Sequence, residues 1–292
     1  MLLKMRNKIA SMGMDYKCSC TFVENRLTDP NVAKTFDALR EALDSHYVNN
    51  SNLIYSYMEK YRLTDETIDI CGTTLYRIEA LRDFGSIKAG DKGGFVQSYH
   101  NLSQEGYCWI HGEAKVFGNA KVYENAQVFG RAEVCGYASV KGDAYVFGIA
   151  KVYGSAFVKG RAFVFGRAEV YDWAKVYGRA QVFGDAKVYG NAFVYGDAEV
   201  YDKAEVFGVA SVYGNAFVKG DAIIKTGRDY IVFKNWWSSD RYFTWTRSNN
   251  MWNVGCFYGT GKELIKEAYA DSEDSGKEYE RVVRYVESIL AD

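Results

Sequence analysis

From Ala114 onward the chain places an alanine at every sixth position, nineteen times in succession, ending at Ala222. A valine stands two residues after each alanine, from Val116 to Val218, and Ile224 closes the series. The unit reads A-x-V-x-G-x, as in AKVFGN at 114–119, and one further unit built on Cys108 and Ile110 precedes it. Within A-x-V-x the apolar residues alternate with period two, so Ala and Val share one side of a short strand and the x positions share the other. The G-x pair supplies a corner. Glu124, Asp172 and Asp202 replace glycine there; aspartate tolerates the left-handed backbone region and Glu124 is the weaker fit. Such corners contain no loop that reverses the chain, so each strand must pair in parallel with the next coil. A fixed short period of this kind predicts a solenoid.

The number of hexads per coil follows from the outward positions. With three per coil, residues eighteen apart stack at about 4.8 Å. One face then carries the column Lys115, Glu133, Lys151, Glu169, Lys187, Glu205, a structural charge ladder in which the sign alternates at every step. Like charges directly opposed are destabilising, and spacings of 12 or 24 residues give no such order. The predicted fold is therefore mainly β, a three-sided parallel β-helix over 108–226. A second face gathers Phe129, Phe147, Phe165, Phe183 and Tyr201, beside a companion column holding Tyr145, Phe163 and Phe217. These eight aromatics are the expected partner or oligomer interface, because monomers seldom leave such strips bare. The third face carries Tyr123, Lys141, Lys159, Tyr177, Tyr195 and Tyr213.

Both ends of a solenoid need covering, since edge strands invite further pairing. Residues 75–107, rich in glycine and out of register, are expected to start and cap the first coil. Residues 1–74 are read as an N-terminal helical segment: Asp29-Pro30 is a helix-start signal, Val32, Phe36, Leu39 and Leu43 form a stripe, and Leu53 to Met58 suggests a second short helix. Residues 227–292 are expected to form a small α+β domain. Three strands fall in 229–258, with turns at Ser238–Asp240 and Ser248–Asn250. Two helices follow, with capping boxes at Thr260/Glu263 and Ser275/Glu278, and the last carries the stripe Tyr279, Val282, Val286, Ile289. Trp236 and Trp237 are adjacent and cannot both face inward on one strand, which marks an exposed aromatic contact.

Composition narrows the chemistry. The 36 basic and 37 acidic residues are spread evenly, without the one-signed field of a nucleic-acid groove, and Arg241 and Arg247 are too few for a phosphate track. Six cysteines without a CxxC pair and three histidines argue against a zinc or redox site; Cys108 and Cys135 fall in repeat positions, as small apolar residues. No apolar run of 18 residues occurs, so a soluble protein of the cytoplasm is expected, with no membrane partner. No residue stands out as catalytic, cofactor-binding or metal-ligating. His111 is the outward residue of the first repeat, above the Phe129 column, while His46 and His100 lie outside the repeats.

The hexads resemble the hexapeptide-repeat left-handed β-helix superfamily. The words RDFG at 82–85, KAGDKGGF at 88–95 and NLSQEGYCWI at 101–110 are similar to the entry segment of YdcK-type hexapeptide proteins, and GCFYGTGKELIKEAY at 255–269 resembles tails of phage-encoded members. The resemblance implies left-handed coiling and a phage or prophage setting. For function it implies a CoA-dependent acyltransferase, in which a histidine beside an extruded loop acts as general base and CoA lies between neighbouring rods. The hexads here run from 108 to 226 without an insertion. The expectation is instead a non-enzymatic platform that binds a protein partner or itself as a dimer or trimer, including binding and inhibition of a host antiviral-defence protein. A cofactor or small-molecule substrate is not expected.

Overall fold

A computed structural model of the chain describes residues 59–235 and 240–291. The helical readings at Val32–Leu43 and Leu53–Met58, the pair Trp236-Trp237 and most of the Ser238–Asp240 turn lie outside them. One compact unit runs from Lys60 onward. It is mainly β, a parallel solenoid followed by a small antiparallel sheet and two helices.

Twenty two-residue strands, β4 (Trp109–Ile110) to β23 (Ile223–Ile224), recur every six residues and form three parallel sheets, one on each side of the coil. The register is the expected one: Lys115 pairs with Glu133, Tyr145 with Phe163, and Phe157 with Lys175, each eighteen residues apart. Each strand donates N–H groups to the following coil, as from Lys151 N to the Ala168 carbonyl at 2.9 Å. Every hexad alanine and valine is buried, at 1% exposure or less, so small and medium side chains alternate down a narrow dry prism. Burying each valine contributes about 1.5–3 kcal/mol before chain entropy is counted.

The corners carry the backbone strain. Gly160 has φ +73°, and a Cβ there would lie 3.0 Å from the Gly178 carbonyl oxygen of the next coil. Glu124, Asp172 and Asp202 adopt the same left-handed conformation, at φ 60°, 57° and 59°. Glu124 is no misfit. Its carboxylate accepts from the Gly142 N–H of the next coil at 2.9 Å, and Asp172 does the same for Gly190 at 3.1 Å. At these two corners the acid thus compensates its conformation with a hydrogen bond one coil on.

Parallel coils leave bare carbonyls at one end and bare N–H groups at the other. At the first end, β1 (Tyr61–Ile70) and β2 (Thr73–Ala80) form an antiparallel hairpin that feeds β3 (Lys92–Val96), which pairs in parallel with Lys115–Val116. Residues 61–74 are therefore strand and turn, not helix. Isoleucines 68 and 70 alternate about a turn at Cys71-Gly72, both with positive φ, and the hairpin crosses the boundary expected at residue 74. Asn101 Nδ2 donates to the carbonyls of Gly118 and Ala120, both at 2.9 Å. The buried Lys60 ammonium donates to the carbonyl of Cys108 at 2.9 Å. Gly93 and Gly94 lie so close to the coil that a Cβ would meet Ile78, Ile110 and the Ala114 carbonyl inside 3 Å.

At the far end, side-chain oxygens meet the bare donors. Phe217 N–H donates to Thr244 Oγ1 at 2.9 Å, Ile223 N–H to Ser248 Oγ at 2.7 Å, and the amides of Lys225 and Thr226 to the Asp229 carboxylate. The C-terminal sheet has four strands rather than three: β24 (Tyr230–Lys234), β25 (Tyr242–Thr246), β26 (Met251–Val254) and β27 (Phe257–Gly259). The extra one forms because Gly255, at φ 59°, reverses the chain within what reads as a single apolar run. Helix α1 (Gly261–Asp271) has the expected Thr260/Glu263 box. Helix α2 (Glu273–Ala291) starts earlier than expected, and the Ser275 N–H donates to Ser272 Oγ at 3.0 Å, so Ser272 takes the cap role assigned to Ser275. Its buried stripe is Tyr279, Val283 and Val286; Ile289 is exposed.

The corner geometry separates two glycines of equal conformation. Gly214, at φ +66°, has nothing within 4 Å of a built Cβ, whereas Gly160 has the next coil's backbone. Gly214→Ala is expected to cost about 1–2 kcal/mol from the left-handed conformation alone, and Gly160→Ala measurably more. Urea unfolding midpoints of the two variants decide this; equal losses would refute the close-contact account.

Candidate functional site

The three outward faces differ as their sequences require, but stacking rather than charge organises them. On the charged face, Lys115 and Glu133 form an ion pair at 3.3 Å, the one rung of the ladder within 4 Å among the described residues. Glu169 and Glu205 instead accept from the hydroxyls of Tyr153 at 2.9 Å and Tyr189 at 3.0 Å. Burial and the neighbouring carboxylate push the Tyr189 phenol up to about 12. These tyrosines belong to a column that the sequence pattern did not single out, Tyr153, Tyr171, Tyr189 and Phe207, with ring centroids 4.8–4.9 Å apart. Its signal was present as a run of aromatics eighteen apart beside the more conspicuous charges. The third face stacks Tyr177, Tyr195 and Tyr213, and its lysines lie over rings: Lys141 over Tyr123 at 5.3 Å and Lys159 over Tyr177 at 5.2 Å.

The aromatic face holds seven of the eight candidate interface residues in two stacks rather than one strip, and Phe217 belongs to neither. Phe147, Phe165, Phe183 and Tyr201 stack at 4.7 Å with ring planes within 7°. The other stack crosses columns: His111 lies on Phe129 at 4.1 Å, Phe129 on Tyr145 at 6.0 Å, and Tyr145 on Phe163 at 5.2 Å. The rings are half-buried against one another and turn their edges outward. Each pair contributes about 0.5–1.5 kcal/mol beyond area burial.

The lower end of this face is occupied. Asn253 Nδ2 donates to the Tyr201 hydroxyl at 2.9 Å, Lys219 lies between the rings of Tyr201 and Tyr258, and Phe217 is tied to Thr244. Tyr201 therefore serves an internal interface with the C-terminal sheet, whereas Phe217 meets that sheet through its backbone N–H and its half-buried ring lines the neighbouring groove. Among the described residues, Tyr145, Phe147, Phe163, Phe165 and Phe183 remain accessible. Tyr145, Phe163, Gln181 and Glu199 floor a groove of about 750 Å³, bordered by Arg161, Arg179 and Asp197. Burial in that groove raises the Glu199 carboxyl above its usual range, and Arg179 is held by Asp197 in a two-pronged ion pair.

At the upper end of the stack His111 lines a second hollow, of about 320 Å³, with Phe84, Ser86, Tyr107 and Asn125. Gln127 fixes the ring. Its Nε2 donates to the Tyr107 carbonyl at 2.7 Å and the Asn125 carbonyl at 3.0 Å, leaving Oε1 to accept from His111 Nε2 at 2.8 Å. Nδ1 is then the nitrogen with the lone pair. Burial holds the imidazole below its ordinary value of 6.5, and the Gln127 bond acts in the opposite sense.

Of the remaining candidates, Cys108 is buried, Cys135 half-buried, and both are free thiols raised by burial. No group of three or more His, Cys, Asp or Glu among the described residues is arranged to hold a metal ion. No described helix is long and apolar enough to cross a membrane. No family model matches the chain, and no curated protein matches it.

The His111 environment has a consequence for pH. The folded chain resists protonation at this site and the unfolded chain does not, so the stability it contributes is present above about 6.5 and is lost as pH falls below that. Thermal midpoints between pH 7.5 and 5.5 are expected to fall less in His111→Phe than in the parent. Parallel slopes would show that His111 is not buried as described.

Proposed function

We propose that the protein is a non-catalytic β-solenoid platform whose aromatic face receives a protein partner. The observation that carries this reading is the pair of ring stacks with outward edges, held on a rigid sheet and left accessible above the C-terminal sheet. Ring edges and a charge-bordered groove suit the mixed apolar and polar surface of a folded protein, and aromatic anchors dominate such contacts. Stacked rings are already ordered, so little side-chain entropy is lost on docking. In the setting implied by the sequence resemblance, a hexapeptide-repeat protein of a phage or prophage, the partner is a host protein, including one that serves antiviral defence.

A second reading, a CoA-dependent acyltransferase, is favoured by one feature. His111 sits in a hollow as a neutral imidazole with a fixed tautomer, which is what a general base requires. Acetyl-CoA titrated calorimetrically into the chain separates the readings: saturable heat that disappears in His111→Ala favours the enzyme.

For the platform, a photo-reactive residue at position 147 or 165 is expected to cross-link the same protein from cell extract, and excess unlabelled chain to suppress the product. The double variant Phe147→Glu/Phe165→Glu is expected to fail as a competitor. Equal capture from position 159, on the neighbouring face, would sink the reading.

A further inference from the structure

The charged face and the corners on both sides of it share a pattern that repeats every two coils. Let the six coils be numbered by the ladder residue they hold, from Lys115 in the first to Glu205 in the sixth. Lysine stands in odd coils and glutamate in even ones. The corner after this face carries Tyr137, Trp173 and Val209 in even coils, exposed by 70%, 65% and 71%. In the odd coils the same corner carries Asn119, Ser155 and Asn191. Large apolar knobs thus alternate with small polar gaps at a spacing of roughly 9.6 Å. Such exposure is unusual for a tryptophan on a monomer's surface.

We infer that this face pairs two copies of the chain, antiparallel, about a two-fold axis between the third and fourth coils. A two-fold axis lying in the interface across the rod sets each column against its own reversed copy. The first coil then meets the sixth, the second the fifth, and the third the fourth. Every lysine of the ladder faces a glutamate: Lys115 with Glu205, Lys187 with Glu133, and Lys151 with Glu169. Every knob faces a gap: Trp173 with Ser155, Tyr137 with Asn191, and Val209 with Asn119. At the opposite corner Glu113 of the first coil meets Lys203 of the sixth, Arg131 of the second meets Asp185 of the fifth, and Ile149 of the third meets Arg167 of the fourth. Glu113 and Asp185 are each already paired within their own chain, to Arg77 and Arg167, so the register rests on the ladder and the knobs. A slip of one coil sets like charge on like and knob on knob, so the register is unique among neighbours.

Three observations make the face fit for this contact. The rings of Tyr153, Tyr171 and Tyr189 lie parallel within 1°, so the columns do not precess and a flat face can meet a flat face over its whole length. Among the described residues, the ammonium groups of Lys151 and Lys187 have no carboxylate within 4 Å, while Lys115 does. The face offers roughly 29 by 16 Å, smaller than the ~800 Å² per partner of a standard stable complex, so a weak, concentration-dependent dimer is expected. This surface is distinct from the aromatic face, and its test leaves the platform reading untouched.

The test is sedimentation velocity of the full chain across a concentration series, with the single variants K151E and E169K and their equimolar mixture. The parent is expected to approach twice the 33.0 kDa chain mass at high concentration, and each single variant to associate at least about tenfold more weakly. In the mixture the new carboxylate of K151E meets the new ammonium of E169K on one side of the axis, and native Glu169 meets native Lys151 on the other, so the dimer returns. Misfolded variants cannot rescue each other in this way. W173S is expected to weaken association without charge rescue, and added salt to weaken the parent. A parent that stays monomeric at the highest concentration, a dimer indifferent to K151E, or a mixture that stays monomeric would each overturn the proposal.

Discussion

Each residue of the rod is fixed directly above the one eighteen positions earlier by backbone hydrogen bonds that run from coil to coil, and every other property of the molecule follows from that registry. It sets alanine over alanine and valine over valine in the core, which leaves room only for side chains of those sizes. It also sets like over like outside. Stacked identical rings are favourable in an offset geometry, stacked identical charges are not, and the outer columns obey this: rings repeat, while the main charge column alternates.

The rod was legible in the sequence because its constraint is local and periodic. A buried alanine, a buried valine and a left-handed corner recur in every hexad, so the letters encode strand, inward side and coil length together. Both ends were harder to read, because they are solved once. The hairpin at 61–80 has a bulge and no repeat to support it, Gly255 inserts an extra turn into an apolar run, and Ser272 takes the cap role that a Ser-x-x-Glu word suggested for Ser275.

For the candidate site, the columns were legible and their contacts were not. The eighteen-residue spacing placed Phe147 over Phe165 and His111 above Phe129. It could not show that Phe129 leans across to Tyr145, that tyrosine hydroxyls bind the ladder's glutamates, or that Asn253 reaches Tyr201 from the next sheet. Those depend on side-chain torsions and on chain far away in sequence. Gln127, which fixes the tautomer of His111, has the same status: its place in a column was readable, but not its two carbonyl acceptors.

The end caps touch only the coils nearest them: Asn101 reaches Gly118 and Ala120, and Thr244, Ser248 and Asn253 reach Phe217, Ile223 and Tyr201. None of them senses how many turns lie between. A gene for such a rod can gain or lose thirty-six codons, a pair of coils, without redesign of either terminus or loss of the charge alternation, so span is a trait that changes in steps of two turns and can be matched to whatever the molecule must bridge.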